Sequence, residues 1–161
     1  MLIALCLVWT VLLVSLSYQQ VGYWRDNSSL FEHAIKVTDR NYVAYQHLAQ
    51  VRLDEGKLDV ALDYISEALS INPYDPKSHA TMGNIYAKRG EWLRAIGSFE
   101  YALKLNPKIS EVYNNLGVVY YRLGDLAKSI RAYQMALELN PDYSKAASNL
   151  EVASRGFRND N

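Results

Sequence analysis

Apolar residues follow two different rhythms along this chain. From Met1 to Val21 they are almost continuous, and no Asp, Glu, Lys or Arg precedes Arg25. From Tyr42 onward they recur at helical spacing instead. Tyr113, Leu116, Gly117 and Tyr120 fall at i, i+3, i+4 and i+7, one face of a helix. Gly124 ends that helix, because the left-handed cap conformation costs little only for glycine. Asp125 can cap the next helix, whose inner face is Ile130, Tyr133, Ala136 and Leu137. Asn140-Pro141 stops it, since proline disfavours helical geometry in the residue before it. Asp75-Pro76 repeats the logic as a cap followed by a first-turn proline. Glu100 and Lys104 stand four apart, a favourable pair on an exposed helix face.

These features share one period. Pro73, Pro107 and Pro141 are spaced by 34 residues, as are Gly22, Gly56, Gly90 and Gly124. Ala34, Ala68, Ala102 and Ala136 keep the same step, and so do Phe31, Ile65, Phe99 and Tyr133. Such self-similarity predicts stacked supersecondary units, each a helix pair that buries its apolar face against its neighbours. Gly83, Gly117 and Ala49 are then the places where two helices of one hairpin cross closely, and the large residues fill the matching holes.

The initial apolar run predicts something else. As a helix through Val21 it would be roughly 30 Å long at about 1.5 Å per residue, enough to cross a hydrocarbon core. Tyr18, Tyr23 and Trp24 cluster where it ends, as interfacial aromatics do. A membrane-spanning helix over residues 1–22 is therefore expected. The alternative is a cleaved signal peptide with its site near Ser15-Leu16-Ser17, although the basic n-region of such a peptide is missing. Charge gives no orientation, because nothing basic lies on the N-terminal side.

Composition narrows the function. Seventeen Lys+Arg balance 17 Asp+Glu, which argues against nucleic acid as a partner, since phosphate affinity needs a basic excess. The single cysteine, Cys6, leaves no internal disulfide and no Cys-based zinc site. His33, His47 and His79 are too dispersed for metal-ligand spacing. There is no phosphate loop, nucleophile elbow, HExxH or EF-hand loop. Neither catalytic residues, nor a metal, nor a cofactor is expected. Asn27-Ser28-Ser29 is an N-glycosylation sequon, a short pattern.

The segments YQHLAQVRLDEGKLDVALDYISEALSINP, HATMGNIYAKRGEWLRAIGSFEYALKLNP and YNNLGVVYYRLGDLAKSIRAYQMALELNP resemble the tetratricopeptide repeat (TPR). The resemblance implies an all-α fold, a right-handed α-solenoid of stacked antiparallel helix pairs. Its repeats would span 42–75, 76–109 and 110–143. Residues 23–41 would be a degenerate half repeat and 144–161 a capping helix and tail, fraying after Arg155. Departures are mild: Arg52 stands where the other repeats have Tyr86 and Tyr120, and Ser129 where they have Ala61 and Ala95. The junction Tyr23, Trp24, Arg25, Asp26, Leu30, Phe31, His33 and Ala34 resembles a narrower family. These are membrane glycosyltransferases of the transmembrane O-mannosyltransferase type, whose last membrane helix runs into a TPR array. That resemblance implies a piece or relative of such an enzyme, with repeats on the extracytoplasmic side.

In stacked hairpins the first helices line the concave side. Helical spacing then selects Gln46, Gln50, Asn84, Lys88, Asn114, Asn115, Tyr121, Arg122, Lys145 and Asn149 as groove residues. Amides donate and accept, so they suit the backbone of an extended peptide, while the cations favour a carboxylate. TPR domains that clamp a chaperone's C-terminal carboxylate use two Lys, two Asn and one Arg. Asn84, Asn115 and Lys145 match three of those positions, whereas Ala80 and Asn149 occupy the other two. Asn115 and Asn149 also fit the asparagine ladder of O-GlcNAc transferase, which His47 and Thr81 break. The expected function is a membrane-anchored scaffold for a protein or peptide partner. The alternatives are an acceptor-positioning segment of a glycosyltransferase, or a secreted or periplasmic TPR protein.

Overall fold

The computed structural model describes residues 27–159. The expected membrane helix over 1–22 and the junction residues Tyr23 to Asp26 lie outside the described residues. Among the described residues there are eight helices and no strand: α1 (Asn27–Val37), α2 (Tyr42–Asp54), α3 (Leu58–Ile71), α4 (Pro76–Lys88), α5 (Trp92–Leu105), α6 (Ser110–Arg122), α7 (Leu126–Leu139) and α8 (Ser144–Asn159). None of these is long and apolar enough to cross a membrane.

Helix boundaries follow from local chemistry. Asn41, Asp75 and Asp125 accept hydrogen bonds from the backbone N–H of Ala44, Ser78 and Lys128, at 3.0, 2.7 and 3.1 Å. Each satisfies one of the donors that a helix start leaves open. Pro76 sits in the first turn of α4, where its missing N–H costs nothing. Gly56, Gly90 and Gly124 turn the chain between hairpin helices at φ of +77°, +76° and +80°. Asp39 stands where the later repeats carry the closing proline, and Arg40 makes that turn with φ of +55°.

The hairpins α2–α3, α4–α5 and α6–α7 are the strongest packing units, and α8 packs on α7. First helices also touch across repeats, α2 with α4, α4 with α6 and α6 with α8. The first helices thus form an inner layer and the second helices an outer one. Two buried clusters fill the layers. One gathers Ala49, Leu53, Ala61, Ile65, Ala68 and Ile85; the other gathers Ala95, Phe99, Ala102, Val112, Leu116 and Val119. Gly83 and Gly117 are the close crossings. A Cβ on either would lie 2.6 Å from the ring of Phe99 or Tyr133. Inside the hairpin α6–α7, the Ser129 hydroxyl donates to the Gly117 carbonyl at 2.9 Å.

Two local expectations need correction. Glu100 does not pair with Lys104; its carboxylate accepts from the Tyr120 hydroxyl at 3.3 Å, an inter-repeat contact. The last helix does not end at Gly156 either: it runs on to Asn159, and Gly156 packs beside Leu126 Cδ1, where an added Cβ would make an ordinary 3.4 Å contact. α1 is fastened to α2 by Glu32, which takes the Arg52 guanidinium at 2.6 Å, and by Phe31, stacked on His47 at 4.4 Å.

Candidate functional site

The inner layer encloses an open groove of about 490 Å³. Gln50 and Asp54 enter from α2, and Asn84 and Lys88 from α4. Glu111, Asn115, Val118 and Arg122 come from α6, and Lys145 and Asn149 from α8. Leu53, Ala87, Trp92, Phe99 and Val119 make an apolar floor. Seven of the ten residues selected from helical spacing therefore meet here.

The other three do not. Tyr121 lies one step further along, in a smaller hollow of about 230 Å³ shared with Val118, Arg122, Tyr133, Asn149 and Val152. Gln46 and Asn114 are withdrawn from solvent, at 5% and 0% exposure. The Gln46 amide donates to Asp75 Oδ2 at 2.7 Å and to Ser78 Oγ at 3.1 Å, so it ties the first repeat to the second. Asn114 accepts from Asn149 Nδ2 at 2.9 Å and donates to Asn115 Oδ1 at 3.1 Å. Asn115 in turn donates to Asn84 Oδ1 at 2.9 Å. One chain of four amides therefore crosses α8, α6 and α4. It satisfies polar groups that would otherwise be buried unpaired, and it fixes how the groove amides face. Sequence reasoning placed all four on the concave side; the structure buries one as their link.

Charge in the groove is mixed. Lys88 donates to the Leu53 carbonyl at 3.1 Å, where the end of α2 leaves acceptors open. Gln50 donates to Asp54 at 3.0 Å. Among the described residues Arg122 and Lys145 form no ion pair, so both cations can meet a ligand. Glu111 is the groove's second carboxylate. Burial first, and then the Glu111 charge, raises the pKa of the neighbouring Tyr143 phenol.

Spacing alone assigned no groove role to Asp54, Ala87, Trp92, Phe99 or Val119, and of these Trp92 carried a signal. It occupies the register position of Leu58 and Leu126, and its larger ring reaches into the groove floor. A tryptophan where sister repeats carry leucine was the available signal. His47 and His79 are engaged structurally. His47 stacks on Phe31, and burial, followed by the Lys77 charge, lowers its pKa. His79 Nε2 lies 2.8 Å from the Pro73 carbonyl, with its ring against Tyr101. Among the described residues no three His, Cys, Asp or Glu side chains converge on one point.

Fold and groove define a helical-repeat solenoid with an open concave surface. Residues 42–75 and 110–143 match the tetratricopeptide repeat, and residues 83–124 match a TPR repeat. The chain is thus built on tetratricopeptide repeats. No curated protein matches it. Solved structures do. The first TPR of Spaghetti (RPAP3), bound to the HSP90 peptide SRMEEVD, has a TM-score of 0.71 at 22% identity, covering 77% of this chain and 98% of that one. YrrB, a TPR protein with an unusual peptide-binding site, gives 0.69 at 23% identity, covering 76% and 63%. The second TPR domain of human RPAP3, in complex with the HSP70 peptide SGPTIEEVD, gives 0.65 at 18% identity, covering 70% and 93%. At such identities the likeness is one of fold.

Proposed function

We propose that this chain is a membrane-anchored scaffold that holds an extended segment of a partner protein in its concave groove. The observation that carries the reading is the convergence of Asn84, Asn115, Asn149, Arg122 and Lys145 on one open surface over an apolar floor. The amide N–H groups suit peptide carbonyls, the cations suit a side-chain or terminal carboxylate, and the floor around Trp92 suits an apolar side chain. Structures of similar fold hold the acidic peptides SRMEEVD and SGPTIEEVD, which supports the same class of ligand here. The chain would act by binding and positioning, not by catalysis. Anchoring rests on the uncharged apolar run before Arg25, and the extracytoplasmic placement of the repeats rests on the junction's resemblance to membrane O-mannosyltransferases.

Fluorescence anisotropy with labelled SRMEEVD, titrated into the full chain in mild detergent, tests the groove. Arg122→Ala and Lys145→Ala should each weaken binding roughly tenfold, the value of about 1.4 kcal/mol in a charge-assisted contact. Affinity unchanged in the double variant would sink the assignment.

A second reading draws on the junction that resembles membrane O-mannosyltransferases, of which Leu30, Phe31, His33 and Ala34 lie in α1. Under it the groove presents acceptor protein to a membrane-embedded active site. An upstream reading frame continuing into further membrane helices would favour that version.

A further inference from the structure

We infer that one edge of the repeat array, the edge formed by the turns inside each hairpin, lies against the lipid surface. The inference rests on the anchoring reading above and adds to it an orientation for the repeats.

The orientation comes from where the chain enters the fold. α1 occupies the register of a second helix, since Phe31 and Ala34 repeat as Ile65 and Ala68, Phe99 and Ala102, Tyr133 and Ala136. Second helices begin at the intra-hairpin turns. α1 also runs antiparallel to α2, with Glu32 held by Arg52 near the end of α2 and Val37 leading through a short turn to Tyr42. Its start at Asn27 therefore lies beside the turn at Glu55–Lys57, on the same edge as Gly90 and Gly124. Only two residues separate Trp24, the end of the uncharged run, from that point. A segment anchored immediately upstream brings this edge, and not the proline edge, to the membrane.

The surface of the edge suits that place. Leu93 is 78% exposed at a position where the sister repeats carry Asp59 and Ala127. With Trp92 and Leu123 it borders an apolar hollow of about 400 Å³. Carboxylates on these turns would repel anionic lipid, yet most are held by a cation, Asp54 with only the Gln50 amide being the exception. Glu55 takes Lys57, Asp59 takes Arg89, Glu91 takes Arg94 and Asp125 takes Lys128. The proline edge also exposes apolar side chains, Val37 and Tyr74, so exposure alone does not choose between edges. The entry point of the chain does. Exposed Leu93 and Leu123 beside Arg94 give this edge an apolar surface next to a cation, the pairing that settles at a headgroup boundary.

The test uses the full chain in vesicles of phosphatidylcholine and phosphatidylserine. In a Cys6→Ser background, Leu93→Cys and Lys108→Cys place an environment-sensitive fluorophore on the two edges, both at exposed sites. Nitroxide-headgroup lipid should quench the label at 93 severalfold more than the label at 108. Equal quenching, or stronger quenching at 108, overturns the orientation while co-flotation with the vesicles leaves the anchor standing. A blue-shifted but unquenched label at 93 overturns it too, because polypeptide and not lipid would cover the edge. A chain that stays in the aqueous phase overturns both readings together.

Discussion

One substitution, glycine to alanine, should have opposite effects at two helix-interior sites. At Gly97, on the exposed face of α5, an added Cβ meets nothing within 4 Å. Alanine there relieves the entropy that glycine loses on folding and should stabilise by about 0.5–1 kcal/mol. At Gly83 the same Cβ would lie 2.6, 2.6 and 3.0 Å from three ring atoms of Phe99. Ordinary carbon contacts sit at about 3.5–4.0 Å, so the ring must retreat by about 1 Å. Phe99 is wholly buried and packed among Ala95, Ala102, Val112, Leu116 and Val119, so its ring moves only by displacing neighbours or by pressing into the groove floor. Overpacking of this kind costs about 1–3 kcal/mol, and the upper half of that range applies to a locked ring. After the gain in helix propensity, Gly83→Ala should lose about 1–2 kcal/mol. Urea denaturation followed by far-ultraviolet circular dichroism measures both variants, provided the slopes agree. Adding Phe99→Leu to Gly83→Ala should recover part of the loss, since the two residues are in contact and therefore couple. Equal signs at positions 83 and 97, or strict additivity of the double variant, would refute the close-crossing account.

Asn114→Ala removes the buried link of the amide chain and leaves Asn115 Oδ1 and Asn149 Nδ2 without their partner. It should cost about 1–3 kcal/mol in urea midpoint analysis, and it should weaken peptide binding in the anisotropy assay although Asn114 lines no part of the groove. Asp75→Ala loses both the α4 cap and the acceptor for Gln46, and should cost about 1–2 kcal/mol by the same measurement. Burial and the Lys77 charge depress the pKa of His47, so the unfolded chain takes up that proton first on acidification. The stability contributed is full above the ordinary histidine range and is lost as pH falls through the lowered folded value. His47→Gln should flatten the decline in thermal midpoint between about pH 7 and about pH 5; an unchanged slope would remove His47 as its source.

Much of the fold was legible because repeat geometry writes itself into residue size. Gly83 and Gly117 announce a tight crossing only because Phe99 and Tyr133 occupy the matching register positions sixteen residues later. Asp75 and Asp125 announce helix starts because their side chains act within three residues. Such signals are local or strictly periodic. The Tyr120–Glu100 bond is neither. Helical spacing offered Lys104 as the partner of Glu100, but packing of α6 on α5 put a phenol within reach first. The length of α8 was hidden for a related reason. Glycine weakens an isolated helix, whereas here α8 is packed along α7 and beside Leu126, contacts that lie outside any local signal.

The groove marks where this kind of reading stops. Spacing tells which side chains face the inner layer, but not which of their hydrogen-bonding atoms are already committed. Asn114 and Asn115 are neighbours with the same chemistry, yet one is fully buried and the other lines the cavity. The difference arises because Asn149 and Asn84 approach from adjacent repeats, 35 and 31 residues away. Neither separation equals the repeat of 34, so no single-repeat template contains the pairing. Recognition in such an array is therefore a property of junctions. The Asn84 and Asn114 carbonyls are spent between repeats and the Asn115 carbonyl on its neighbour Asn114, while the Asn84 amide N–H groups are spent on none of these bonds and face the groove as donors. A partner that offers acceptors, as a peptide backbone and a carboxylate both do, fits what the junctions leave open.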